Sequence, residues 1–237
     1  MGRRQAQPQR ALPPVRGVAM VAAMSGTGKG PGQNAGKRLI VGLSGASGIV
    51  YGVRVLEALR GTGVETHLVM TKSAEVTLAY EMTAKVADIR ALADVVHPVH
   101  DIGAAISSGS FRTEGMIIAP CSVRTMSEIA AGTTASLMTR AADVVLKERR
   151  RLVLLVRETP LHTGHLRTMT RLSEMGAIVA PPVPAFYQRP ETVDDIVNQT
   201  VGRALDLFGF DLGLVKRWGE PAAAGGVGKP ARKSGDA

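Results

Sequence analysis

Cysteine is nearly absent from this sequence: Cys121 stands alone among 237 residues. One thiol excludes an internal disulfide framework and a cysteine-rich metal centre. Aromatic residues are scarce too, with only Phe111, Phe186, Phe208, Phe210, Tyr51, Tyr80, Tyr187 and Trp218, so the core must be built from Val, Leu, Ile, Met and Ala. No apolar run approaches the roughly 18 residues that cross a bilayer, and no membrane helix is expected. Acidic residues are missing from positions 1–38, a stretch that carries Arg3, Arg4, Arg10, Arg16, Lys29, Lys37 and Arg38.

That last absence accounts for most of the net charge of +9. The tail from Gly219 adds a small further excess of cations, which leaves the body between Leu39 and Trp218 close to neutral. A neutral body with basic ends is not a nucleic-acid-binding face. Residues 1–36 and 219–237 are rich in Gly, Ala and Pro without apolar periodicity and read as disordered extensions. One domain over 37–218 is expected between them, in a cytoplasmic protein. The Gly28-Lys29 and Gly36-Lys37 pairs lack both the first glycine of a P-loop and the Ser or Thr after its lysine, which excludes a P-loop NTPase.

What the body does contain is a series of short apolar runs. Leu39–Leu43, Thr66–Met70, Met116–Ala119, Leu152–Val156 and Ala177–Ala180 read as strands buried on both faces. Helical spacing follows the first run (Tyr51, Val55, Ala58, Leu59) and the second, through Tyr80, and a closing helix is expected over Val193–Phe208. Alternation of strand and helix predicts an α/β fold, a single Rossmann-like, flavodoxin-like, doubly wound parallel sheet. Such sheets bind ligands past the carboxyl ends of their strands. Ser44–Ser47, Thr71–Ser73, Ser122–Thr125 and Arg157-Glu158 all fall just after predicted strands, so four segments should converge on one edge.

The chemistry of those segments suits a phosphorylated ligand. Ser44-Gly45-Ala46-Ser47-Gly48 joins strand to helix, where glycine permits close approach and a helix N-terminus attracts an anion. The spacing Gly42, Gly45, Gly48 is not the dinucleotide pattern, so a mononucleotide such as FMN is favoured. Arg140 and Lys147 lie on a largely apolar helix and are candidates for a second phosphate. The run Arg149–Arg151 reads as a solvated helix end. Glu158, after a buried strand, is either paired for structure or a proton donor and acceptor. Cys121 reads as a small buried packer. His162 and His165 share a helix face but lack a third ligand, so no metal site is assigned.

Taken together, Lys37–Gly48, Pro120-Cys121-Ser122, Arg140–Arg150, Arg157–Leu161, Pro184–Tyr187 and Arg217-Trp218-Gly219 resemble the flavin prenyltransferases of the UbiX family over residues 37–219. The resemblance implies transfer of a dimethylallyl group from dimethylallyl monophosphate to N5 and C6 of reduced FMN. It further implies a prenylated FMN product used by a separate decarboxylase, no metal, and a homododecamer. By the same resemblance Gly45, Ala46, Ser47, Thr71, Ser122, Val123, Arg124, Thr125 and Arg157 hold FMN. Ser108, Arg140, Lys147, Tyr187 and Arg203 hold the donor phosphate, partly across a subunit boundary, and Trp218 lines the reaction space. Ser47, Glu81 and Glu158 are the implied catalytic residues. Thr71 stands where Ser is frequent, and Val123-Arg124 where a bulkier apolar residue and Lys are common; both changes keep the chemistry. An FMN-dependent cysteine decarboxylase is disfavoured, because no His follows the second strand and no Asn stands in the turn after Pro120. A non-enzymatic FMN carrier has no use for a second phosphate site.

Overall fold

The computed structural model describes residues 34–215, 217 and 218. Apart from a turn at Asn34–Gly36, the two expected extensions lie outside the described residues. Six parallel strands form one sheet: β1 (Arg38–Leu43), β2 (Glu65–Met70), β3 (Val95–His97), β4 (Gly115–Cys121), β5 (Arg151–Val156) and β6 (Ile178–Val179). Their order across the sheet is β3-β2-β1-β4-β5-β6, the Rossmann order. Without the short edge strand β3, the remaining five follow the flavodoxin order.

The apolar runs behave as their composition dictates. Alternate residues of each central strand point to opposite faces, so Leu39, Val41 and Leu43 of β1 enter one core while Ile40 enters the other. Helices α1 (Ile49–Leu59), α2 (Lys72–Glu81), α3 (Val86–Arg90) and α7 (Val193–Asp206) cover the first face. Helices α4 (Val123–Ala131), α5 (Leu137–Lys147) and α6 (Thr163–Glu174) cover the second. Five of the strands match the predicted runs within two residues at each end. The sixth, β3, is three residues long and only partly buried, so it carries no apolar run to detect.

Helix α7 is joined to α1 by a charged cluster beneath the first face. The Arg54 guanidinium, 7% exposed, donates to Asn198 Oδ1 at 2.6 Å and lies 2.9 Å from Glu57 and 3.3 Å from Asp194. Burial nevertheless raises the Glu57 carboxyl above its ordinary value, outweighing the lowering effect of Arg54. Replacing Arg54 by Ala strands this carboxylate and the Asn198 amide. The expected loss is about 2 kcal/mol, below the full cost of breaking an enclosed ion pair because Asp194 faces water. A lowered urea midpoint with unchanged slope is the measurement that checks it.

Candidate functional site

The strand order reverses between β1 and β4, where loops leaving the two strands diverge and open a crevice. A cavity of about 590 Å³ occupies this place. It is lined by Gly45, Ala46 and Ser47 after β1, Thr71–Ser73 after β2, Ser122–Thr125 after β4, and Arg157 and Glu158 after β5. The four segments picked out in the sequence therefore meet. Close contact between them requires glycine at position 45, since a Cβ there would lie 2.2 Å from Ser73 Cβ.

Hydroxyl groups at the rim do structural work of a kind that also attracts anions. Thr71 Oγ1 accepts from Ala74 N at 3.1 Å and Ser122 Oγ from Thr125 N at 3.2 Å, so each caps its helix. Ser136 caps α5 in the same way, from Thr139 N at 3.3 Å. Helices α2, α4 and α5 thus all begin on the cavity, with their positive dipole ends turned towards it. Lys72, Arg124 and Arg157 add three cations against Glu128 and Glu158. Two of those cations are already paired on the helix surface, Lys72 with Glu75 at 2.8 Å and Arg124 with Glu128 at 2.8 Å. Val99, Val123 and Met138 supply an apolar portion of the wall.

Two expectations need correction. The N-terminus of α1, read as a phosphate site, is taken by protein. Glu81 accepts from Gly48 N at 2.9 Å and from Ile49 N at 2.9 Å. Gly48 has φ of 100° and no capping side chain of its own, so the carboxylate from α2 performs the cap. Glu81 is not among the residues lining the cavity. Secondly, Glu158 is exposed instead of enclosed at the end of its strand, and accepts from Thr159 N at 2.9 Å.

The donor-phosphate residues are divided between two other places. Lys147 ends α5 exposed and is ion-paired with Glu148, whose carboxyl it holds below the ordinary value. Gly109, next to Ser108, packs against both: a Cβ on it would lie 2.8 Å from Lys147 Nζ. Arg150 donates to the carbonyls of Gly109 and Phe111, so one member of the run read as solvated in fact anchors the Ser108 loop. Arg140 pairs with Asp143 at 2.9 Å on the same helix. Tyr187 and Arg203 line a second cavity of about 260 Å³, with Leu155, Val183 and Gln199. Trp218, 81% exposed, meets Tyr187 edge-on with ring centroids 5.3 Å apart. A single chain does not bring these two groups into the first cavity.

Cys121 is fully buried and its thiol is pushed up to about 12 by desolvation, which suits the packing role expected of it. His162 caps α6, its Nδ1 accepting from Gly164 N at 3.0 Å. Val99, Ser136, Met138 and Thr139 line the first cavity without having been singled out. Ser136-Leu-Met-Thr139 ahead of an apolar helix was a readable capping signal. Val99 offers no such sign.

A three-layer α/β sheet with hydroxyls, helix N-termini and cations gathered at its switch point defines a mononucleotide-binding protein. The model of the family described as Flavoprotein matches residues 28–205. Flavin prenyltransferase UbiX of Escherichia coli K12 is 60% identical over 185 residues, 77% of this chain and 98% of its own length. A crystal structure of a UbiX protein with FMN and dimethylallyl pyrophosphate is 50% identical with a TM-score of 0.77, covering 78% of this chain and 99% of that one. A dodecameric FMN-dependent UbiX-like decarboxylase from Escherichia coli O157:H7 is 53% identical with a TM-score of 0.75, covering 77% of this chain and all of that one. The chain belongs to the UbiX family of flavin prenyltransferases.

Glu81 separates capping from chemistry. Glu81→Ala leaves the Gly48 and Ile49 amides without their acceptor, and a stability loss of about 1–2 kcal/mol is expected. Glu81→Gln keeps one acceptor oxygen and should lose about half as much. An unchanged unfolding midpoint in Glu81→Ala would remove the capping role.

Proposed function

We propose that this protein transfers a dimethylallyl group from dimethylallyl monophosphate to N5 and C6 of reduced FMN, and that the prenylated FMN serves a partner decarboxylase. The observation that carries this reading is the switch-point cavity, whose lining residues include every position assigned to FMN by the family motif. Its donor set fits a flavin mononucleotide: hydroxyls and helix N-termini for the phosphate, and Val99, Val123 and Met138 for the ring.

When bound, reduced FMN supplies the nucleophilic positions; the chain's residues do the rest. Thr71, Ser122, Thr125, Arg124 and Arg157 hold the nucleotide, with Gly45, Ala46, Ser47 and Val123 closing on it. Breaking the allylic C–O bond leaves its electron pair on phosphate, and fixed cations stabilise that charge as it forms. Lys147, Arg140 and Arg203, with the Ser108 and Tyr187 hydroxyls, are assigned to this task. A monophosphate carries less charge than the pyrophosphate of the solved relative, and this reading calls for no metal ion. Aromatic faces shelter an allylic cation, which is the role given to Trp218. Glu158, relayed through Ser47, is assigned the proton released from C6. Glu158 lies at the cavity wall and is exposed within one chain.

Assembly is part of the proposal. Lys147 and Ser108 sit at one end of α5, while Arg203 lies on α7 with Tyr187 beside it, so copies must meet to unite them. Tyr80, Val183, Phe186, Tyr187 and Trp218 are exposed apolar surface suited to that contact. A homododecamer like the solved relative supplies it. No helix among the described residues is long and apolar enough to cross a membrane. Both proposed substrates are phosphorylated and do not cross membranes unaided, so the reading places the enzyme in the cytoplasm.

Anaerobic incubation with reduced FMN and dimethylallyl phosphate, followed by mass spectrometry, should release a flavin heavier by one five-carbon unit. Unmodified FMN at full occupancy would instead indicate a flavin carrier. Lys147→Ala should bind FMN normally and lose about 100-fold or more in prenyl transfer, as expected for one oxyanion-stabilising group. Glu158→Gln should bind FMN and stall before ring closure; wild-type kinetics in that variant would remove Glu158 from the mechanism.

A further inference from the structure

Arg203, Tyr187 and Trp218 come from separate segments, and one carboxylate links two of those segments. Asp206, in the last turn of α7 and 13% exposed at its side chain, accepts from Arg203 Nη1 at 2.7 Å. Its two oxygens also accept from Arg217 Nη1 at 2.8 Å and Arg217 Nη2 at 3.0 Å. Arg217 lies 3.3 Å from Asp211 as well. Trp218 is the next residue, packed edge-on against Tyr187. One turn before Arg203, Gln199 Nε2 donates to the Tyr187 hydroxyl at 3.4 Å.

We propose that Asp206 is a positioning residue for prenyl-donor binding: it fixes the Arg203 guanidinium at the wall of the second cavity and, through Arg217, holds Trp218 against Tyr187. The proposal rests on the donor-binding role given above to Arg203, Tyr187 and Trp218. Within one chain Trp218 is largely exposed, with Tyr187 as its ring contact. A bidentate carboxylate–guanidinium pair is planar and directional, so it fixes the backbone that carries the tryptophan. Arginine has five N–H donors, and Asp206 takes one from Arg203. The rest of that fork remains for an anion in the cavity.

Trp218 is the sole tryptophan of the chain, so its fluorescence reads this geometry without interference. In the full-length protein, Asp206→Asn keeps the side-chain shape and removes the charge. Expected are faster iodide quenching of Trp218 and a KM for dimethylallyl phosphate raised about tenfold, the scale of one lost charge-assisted contact. FMN affinity should stay within about twofold of wild type, since the FMN cavity does not touch Asp206, whereas kcat should fall with the loosening of Arg203 and Trp218, which act on the departing phosphate and the allylic cation. Asp206→Glu should recover part of the KM. Unchanged Trp218 quenching, or an unchanged donor KM, overturns the proposal.

Should Asp206→Asn fail to fold, Arg217→Lys replaces it, because lysine cannot form the bidentate pair while Arg203 keeps its own. The same shifts are expected there, and a wild-type signature overturns the proposal. If the wild-type protein does not prenylate FMN, the functional reading fails on its own account. Quenching of Trp218 still decides whether Asp206 positions it.

Discussion

Ser44 holds the two sides of the crevice together. It is fully buried at the end of β1 and donates to the Pro120 carbonyl at 2.9 Å. The same hydroxyl accepts from Ser122 N at 2.8 Å, and the Ser44 amide reaches Pro120 O at 3.2 Å. Three hydrogen bonds thus lock the residue after β1 to the end of β4 and the residue that follows it, where the strand order reverses. Removing the hydroxyl would leave the Ser122 amide without this acceptor and the Pro120 carbonyl with only its longer bond from the Ser44 amide. Ser122 can cap α4 at the cavity rim because Ser44 has already placed its backbone.

Helix ends are used in two distinct ways around this point. Four helices start near the crevice, and their exposed amides attract negative charge. At α1 the protein supplies that charge itself, from Glu81. At α2, α4 and α5 a neutral hydroxyl takes one amide and leaves the helix end electropositive. The hydroxyl-capped ends, and not the start of α1, are therefore the helix termini that leave amides facing the cavity. Gly45, Ala46 and Ser47 remain wall residues of the same cavity.

The second half of the proposed chemistry is built on the other face of the sheet. Leu155 of β5 points into the core beneath α1 and α7 and also lines the smaller cavity, while Arg157 and Glu158 line the larger one. One strand end thus serves both places. Helix α7 carries Gln199, Arg203 and Asp206, and its attachment to α1 through Arg54 keeps them in register with the sheet. With Lys147 and Ser108 elsewhere on the surface, the proposed donor site is divided in this way within one chain, which is why the proposed chemistry includes assembly of copies.

Much was determined by the sequence alone. The apolar runs fixed five strands because a strand buried on both faces admits almost nothing polar, and the polar residues just after them marked the loops that converge. Those loops could be read because the carboxyl ends of parallel strands lie on one side of a sheet whatever the order of the strands. The family motif then proposed nine positions for the flavin, and all nine line a single cavity. Other features were decided only in three dimensions. That Glu81 caps α1 depends on a contact between residues 33 positions apart, which nothing local in the sequence announces. Arg150, one of three consecutive arginines, became an anchor because two carbonyls of a distant loop happened to face it. The separation of Lys147 from Tyr187 and Arg203 was equally invisible, since spacing along a chain says nothing about which face of a sheet each helix covers.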